Sequence, residues 1–366
     1  MIYLDNTTTT KVDEKVAEIV KKHQLEYYGY ATSDFSPSFN LKSREIIDDA
    51  KKVISEKIKC SPDEIFFTSG ETESNNWVLR GIEKGHIITT KIEHSSILDT
   101  CKILESEGYE ITYLDVNRYG LIDMNQLKNS IKKNTKLISI QHANQEVGVI
   151  QKIEEIGKIC RKEKIPFHVD ASHSFLKSEI DVKKFGIDFL TITSHLIHGP
   201  KGVGALYIRK GLKLKPLIYG TRILDIAGIA GFAEAVRIWE DGINKKTFNL
   251  KKKLMEGLKE IPNIVFFGDL KNSLPNILCF GVKFIEGESM VLYLEDEGIV
   301  LSTGSSCSGK GLRPSHVLKA MGFGVEANGS IRIGLSKYNT EEEIDLTVEK
   351  IKKVVEKLRK ISPIKG

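Results

Sequence analysis

The sequence predicts a two-part α/β protein: a large, mostly parallel sheet covered by helices on both faces, and a smaller α+β unit after it. Three observations carry this expectation. Short runs rich in β-branched and aromatic residues alternate with helical spacing from about residue 60 to 210, the pattern of strands joined by crossover helices. A long amphipathic stretch, about 227–258, then reads as one helix hinging two units. Beyond it the spacing changes to short apolar runs mixed with helical ones. A chain of 366 residues is long enough for a second, smaller core of that kind.

Taken in order, the strand candidates are "EIFFT" running up to Ser69, "HIITT" (86–90), "EITYLDV" (110–116), "KLISIQ" (136–141), "PFHVDA" (166–171), "FLTIT" (189–193) and "GALYIR" (204–209). Each is short and rich in β-branched or aromatic residues. Helical spacing fills the gaps at 72–83, 95–106, 124–132 and 152–163. After the long helix come "NIVFFG", "NILCFGV", "MVLYLEDEG", "PSHVLKAMG", "SIRIGLS" and a last helix from about 340. In sheets of the first kind, ligands bind beyond the carboxyl ends of the strands. The motifs of interest here follow strand ends.

Hydrophobic content of 40% and charged content of 28% are those of an ordinary globular protein. No apolar run reaches transmembrane length. The start, "MIYLDNTTTT", has neither a basic nor an apolar leader segment, so a cytoplasmic protein is expected. The five cysteines, Cys60, Cys101, Cys160, Cys279 and Cys307, are widely spaced and odd in number. That argues against a disulfide framework or a self-contained metal site. Most read as small buried apolar residues, whereas Cys307 lies in "STGSSCSGKG", which reads as an exposed, mobile loop. The net charge of +5 is modest, and runs such as "KKIKKVVEKLRK" have the spacing of a solvated helix face. Direct nucleic-acid binding is therefore not expected.

Three motifs carry chemistry. "FFTSGETESNNWVLRG" (66–81) is strand, glycine turn, then helix. Free N–H groups and the Thr72 hydroxyl at such a helix start can cradle a phosphate, although Thr72 as a plain helix cap explains the pattern equally simply. "FHVDASHS" (167–174) ends a strand on Asp170, and a buried acid there can keep a pyridine nitrogen protonated. "KIEHSS" (91–96) puts His94 on a loop, where an imidazole can stack on a ring or serve as an ordinary polar residue.

Together with "YLDNTTTTKVDEKV", "ANQEVGVIQ", "SHLIHGPKGVGALY", "GSSCSGKGLRPSHVLKAMG" and "IRIGLSKYNTEEEID", these motifs appear in one order across the whole length. In that order the chain resembles the cysteine desulfurases, the sulfur-mobilising branch of the class V aminotransferases. The resemblance implies a pyridoxal phosphate (PLP)-dependent transferase fold of aspartate-aminotransferase type, with a mixed seven-stranded sheet plus a smaller α+β domain. It implies a large domain at 12–240, and a small domain made of 1–11 with 241–366. It also implies a homodimer with sites at the subunit interface and a cysteine that receives sulfur as a persulfide.

Carried over by position, Asp170 matches the acid at the pyridine nitrogen, and His94 the ring-stacking residue. Thr72, Thr193 and His195 match phosphate-side positions, and Thr221 in "YGT" the threonine that reaches the neighbouring subunit's phosphate. Arg332 matches the arginine that clamps a substrate carboxylate, and Cys307 the persulfide cysteine. The departures lie where the cofactor would be. The Schiff-base lysine falls on Leu196, which has no amine, and Lys201 in "HGPKG" matches a different lysine. Glu71 stands where the family has a small residue, and a carboxylate opposes a phosphate dianion there. Gln145 and His173 replace an asparagine and a glutamine. "YATSDFSPSF" (30–39) lacks the histidine of its counterpart, and the Gly- and Arg-rich interface segment before Thr221 is missing.

The expectation is therefore divided. The PLP half is dismantled, whereas the Cys307 half is complete. The chain is expected to work in sulfur transfer, handing persulfide sulfur from Cys307 to an iron–sulfur scaffold or a tRNA-thiolation enzyme. Cys307 could alternatively ligate an iron–sulfur cluster shared with a partner. Two other functions remain open: a desulfurase holding PLP non-covalently, and a non-catalytic partner in cluster assembly.

Overall fold

The computed structural model describes residues 1–31, 37–304 and 315–361. The strands are β1 (Ile2–Tyr3), β2 (Ile65–Thr68), β3 (His86–Thr90), β4 (Glu110–Leu114), β5 (Thr135–Gln141), β6 (Phe167–Asp170), β7 (Phe189–Thr193), β8 (Gly204–Ile208), β9 (Ile264–Phe266), β10 (Ile277–Val282), β11 (Ile299–Val300) and β12 (Ser330–Gly334). The helices are α1 (Glu14–Glu26), α2 (Pro37–Ile58), α3 (Glu71–Gly81), α4 (Ser95–Ser106), α5 (Met124–Ser130), α6 (Ile153–Glu163), α7 (Val182–Phe185), α8 (Ile226–Arg237), α9 (Asp241–Leu258), α10 (Gly287–Asp296), α11 (His316–Ala320) and α12 (Glu341–Ile361).

The expected large sheet is present, with seven strands in the order β2-β8-β7-β6-β5-β3-β4. Only β8 runs antiparallel to its neighbours, so the sheet is mixed. Every residue of β3, β6, β7 and β8 is buried, as expected for strands covered on both faces. The parallel arrangement puts the ends of β2, β3, β5, β6 and β7 on one edge. Thr68, Thr90, Gln141, Asp170 and Thr193 all lie there.

Glycine tightens that edge. Thr193 pairs with Gly204 across β7 and β8. A Cβ on Gly204 would sit 2.8 Å from the Gly70 Cα, so the bare strand lets the turn before α3 close over the end of β7. Gly70 has φ +146°, in the region that favours glycine.

Two cores form. One gathers residues from Val16 to Val236 around the large sheet. The other joins Ile2 and Leu4 to apolar residues between Leu250 and Leu358. It packs α9, α10 and α12 around the antiparallel sheet β12-β10-β9 and the parallel pair β1–β11. These two cores are the support for dividing the chain into 12–240 and 1–11 with 241–366, a division we propose.

The structure corrects several expectations. The single helix over 227–258 is two, α8 and α9, broken at Ile238–Glu240. From Ile226 to Val236, α8 is buried on nearly every side and packs against α1 and α2. By contrast, α9 buries one stripe, Thr247, Leu250, Lys251, Leu254 and Leu258. Different environments need different axes, and extended backbone at Glu240 supplies the break. The strand read over 110–116 stops at Leu114 because the Asp115 N–H turns aside to the Gln126 Oε1, 3.1 Å away. Helical spacing in the basic run "KKVISEKIK" agrees with the end of α2, whereas α1 and the first part of α2 go beyond the sequence expectation. Among the described residues no helix is long and apolar enough to cross a membrane.

Candidate functional site

Asp170 ends β6, 7% exposed. Its Oδ2 accepts from Asn75 Nδ2 at 2.8 Å, and its Oδ1 accepts from the Ser172 N–H at 2.9 Å and the Ser172 hydroxyl at 2.5 Å. The carboxylate keeps lone-pair capacity for one more donor. Asn75 uses its other amide hydrogen on Ser96 Oγ, 2.9 Å away, and Ser96 Oγ lies 2.9 Å from His94 Nδ1. The Ser96 N–H also donates to His94 Nδ1, at 3.3 Å. Nδ1 is thus the unprotonated nitrogen, and His94 caps α4 with it. Asn75 therefore couples the acid to the imidazole.

Neither Asn75 nor Ser96 was singled out in the sequence. The available signal was a Ser–Asn pair at 74–75 on a helix face that proves fully buried. Asn75→Ala is expected to leave Asp170 and Ser96 short of a donor in a dry site. The expected loss of unfolding free energy is about 1–3 kcal/mol, read from urea denaturation; an unchanged midpoint would mean that water replaces the amide.

On the other side of the site, α3 opens on Glu71. The His195 imidazole donates from Nε2 to Glu71 Oε2 at 3.3 Å. Burial pushes the Glu71 carboxyl up. His195, a backbone N–H and His94 outweigh burial and hold it down at about 2, so the carboxylate is ionised at any working pH. Beside it, the Thr193 hydroxyl is buried and unpartnered, 3.9 Å from where a Cβ on Gly70 would stand. Thr72 is exposed in the first turn of α3.

The N-terminal threonines latch this region. Thr10 Oγ1 donates to the His195 carbonyl at 2.7 Å and accepts from the His198 N–H at 2.9 Å. Leu196, between them, is 2% exposed, and Lys201 is exposed.

His173 is partly buried, and desolvation, with Lys177, His94 and Arg332, pushes its imidazole well below the usual range; it is neutral. Gln145, 4% exposed, accepts from Asn144 Nδ2 at 3.4 Å. Arg332, 1% exposed, donates from Nη2 to Thr8 Oγ1 at 2.7 Å, Ser302 Oγ at 2.9 Å and Asp5 Oδ1 at 3.2 Å. Thr221 is exposed, next to Arg222, which pairs with Glu73 in the first turn of α3. Cys307 and residues 32–36 of the "YATSDFSPSF" stretch lie outside the described residues.

The two flanks of the Cys307 segment meet at one residue. Ser315 Oγ donates to Glu146 Oε2 at 2.6 Å, and a Cβ on Gly304 would fall 2.0 Å from Glu146 Oε1. Burial pushes the Glu146 carboxyl up to about 7. Glu93 is also buried; Thr90 Oγ1 donates to it at 2.7 Å and the Gln141 N–H at 3.0 Å. Burial pushes the Glu93 carboxyl up to about 8 against those hydrogen bonds.

The folded state therefore holds a Glu93 proton that an unfolded chain releases above about 4.5. On that account stability is lost as pH rises from there through about 8. Glu93→Gln is expected to flatten the fall in urea midpoint between about pH 5 and 8; parallel profiles would show that Glu93 ionises normally.

Asp170, with lone-pair capacity to spare, and His94 are the residues that would face the ring of PLP. The phosphate cradle holds an ionised carboxylate, and no amine stands at position 196. The residues present do not fit covalently held PLP.

Residues 2–229 and 223–347 match the profile of the family described as Aminotransferase class-V. The chain is 41% identical over 383 aligned positions to cysteine desulfurase IscS of Dictyoglomus turgidum, covering 100% of this chain and 97% of that protein. It is 40% identical over 381 positions to cysteine desulfurase IscS of Methanosarcina thermophila, covering 99% and 94%. A solved structure described as a NifS-like protein superposes with a TM-score of 0.91 at 35% identity, covering 98% of this chain and all of that one.

Proposed function

The chain belongs to the aminotransferase class-V family, with proteins named cysteine desulfurase as its relatives, and from that premise we propose that it serves sulfur transfer through Cys307 without covalently bound PLP. The observation that carries the proposal is Leu196, apolar and buried beside a cradle already filled by the Glu71–His195 pair. The remaining cysteines support Cys307 as the working thiol. Burial pushes Cys60 and Cys101 up to about 12 and raises Cys160 and Cys279 strongly. Thiols held protonated are poor nucleophiles.

The transfer step needs no oxidant. The Cys307 thiolate attacks the outer sulfur of a donor persulfide, and a new S–S bond forms as the donor's S–S bond breaks. The electron pair leaves with the donor thiolate, and Cys307 carries the persulfide. An iron–sulfur scaffold or a tRNA-thiolation enzyme then takes the sulfur by the same exchange. In a cluster-binding variant of this reading, the same thiolate ligates iron held jointly with the scaffold. The working form is a homodimer, in which the exposed Thr221 faces the neighbouring subunit. The setting is the cytoplasm, where unpaired cysteines such as the four described ones persist.

The visible spectrum of the purified protein tests the cofactor half. Absence of bound PLP is expected, a brown iron–sulfur spectrum would favour the cluster variant, and stoichiometric PLP would sink the proposal. A second reading, PLP held non-covalently, is favoured by the Asp170–Asn75–Ser96–His94 chain of hydrogen bonds. A third, a non-catalytic partner in cluster assembly, is what remains if Cys307 accepts no sulfur.

A further inference from the structure

Against Leu196 lies a small cavity that the proposed chemistry does not use. Lys177, Trp239 and Asn276 line it, with Thr10, His198 and Lys337. Three of these lining residues carry a polar group that lacks what its chemistry requires. The Trp239 indole N–H, which can only donate, is buried without an acceptor. Asn276 Oδ1 is buried without a donor, on a residue 5% exposed. The Lys177 ammonium, on a residue 9% exposed, has three hydrogens to give, and it reaches the His173 carbonyl at 3.2 Å.

Among the described residues no carboxylate lies within ion-pair distance of Lys177. Of the other charged or titratable groups on this cavity, Lys337 is neutralised by Asp13, and His198 is pushed down to about 4, chiefly by burial. On its far side Lys177 borders a surface cleft with Lys57, Lys59, Glu179 and Asp241, where Lys59 takes Glu179 and Asp181. Burial alone lowers the Lys177 ammonium to about 7, so near neutrality it carries charge for part of the time with nothing to balance it.

Buried unpartnered groups of this kind cost stability unless a guest satisfies them. The guest must be small. It must accept from an ammonium and an indole N–H, offset a positive charge, and offer one hydrogen to Asn276. We infer that this cavity is a binding site for a small anion, and that hydrosulfide is the member of that class that fits all three groups. Hydrosulfide accepts through its lone pairs and keeps one S–H donor. A halide satisfies the two donors, and the third group only if the Asn276 amide turns over. Water satisfies the hydrogen bonds and leaves the ammonium unbalanced. The inference rests on residues 177, 239 and 276 and not on Cys307, so either idea survives failure of the other.

The test uses the full-length chain carrying Trp77→Phe, which leaves Trp239 as its one tryptophan. Its fluorescence is titrated at pH 7 under anaerobic conditions with sodium hydrosulfide, sodium bromide or sodium gluconate. A saturable change is expected with hydrosulfide, a weaker one with bromide, and none with gluconate. Adding Lys177→Met should weaken apparent affinity by about tenfold or more, the size of a lost charge-assisted hydrogen bond. Adding Asn276→Asp instead supplies an internal carboxylate for the ammonium; it should abolish binding while keeping the fold. Equal saturation by bromide would keep the anion site and overturn the hydrosulfide assignment. A linear response, or saturation unchanged in both variants, would overturn the site itself.

Discussion

Leu196→Lys alone is expected to restore little PLP binding, and Glu71→Ala alone little more, whereas the double variant is expected to bind far more tightly than the two effects combined. The reason is that the two departures oppose one ligand at its two ends. An amine at position 196 supplies an anchor for the aldehyde end. Glu71, ionised beside His195, still repels the phosphate end. Removing Glu71 frees His195 to join the already unpartnered Thr193 hydroxyl at the phosphate, but leaves the aldehyde end unanchored. Groups acting on one ligand couple by roughly 0.5–3 kcal/mol, so affinity should exceed the product of the single effects by about tenfold. Titration with PLP, followed by absorbance and by borohydride reduction with mass mapping of position 196, measures this. Strictly additive effects would show that the ion pair does not occupy the phosphate position.

Legibility divides the molecule along physical lines. Asp170, Thr193 and the turn at Gly70 were readable because strand ends and glycine turns are local, and local sequence specifies them. The inner strands of the large sheet were readable because fully buried strands are near-continuous apolar runs. The break between α8 and α9 was not, because helical periodicity runs on through Trp239 and only the change of neighbours ends it. Asn75 and Ser96 were invisible for a related reason. A polar residue on a helix looks solvated until packing shows that its face is buried against Asp170. Arg332 was readable as an arginine, whereas its engagement with Asp5, Thr8 and Ser302 depends on where the N-terminal arm returns. Lys177 gave no signal at all, since nothing local distinguishes a buried lysine from a surface one.

Cys307→Ser is expected to abolish sulfur transfer to any acceptor while leaving the fold intact. Cys101, Cys160 and Cys279 are at most 1% exposed, and burial raises each thiol far above the range in which a thiolate forms. Cys307 stands in a Gly- and Ser-rich segment with Lys310 and Arg313 close in sequence. Nearby cations favour the thiolate, and the run Gly304–Gly311 around Cys307 has no large apolar side chain to bury. The flanks of that segment, Gly304 and Ser315, are gathered at Glu146, and replacing the Cys307 thiol by a hydroxyl leaves both flank contacts in place. The measurement is treatment with a persulfide donor, then a mass-tagged alkylating reagent, with peptide mapping over time. Sulfur should appear first on Cys307, and the serine variant should unfold at the wild-type urea concentration. Equal labelling of Cys101 and Cys160, or undiminished transfer by Cys307→Ser, would remove the sulfur-transfer reading and leave the non-catalytic partner.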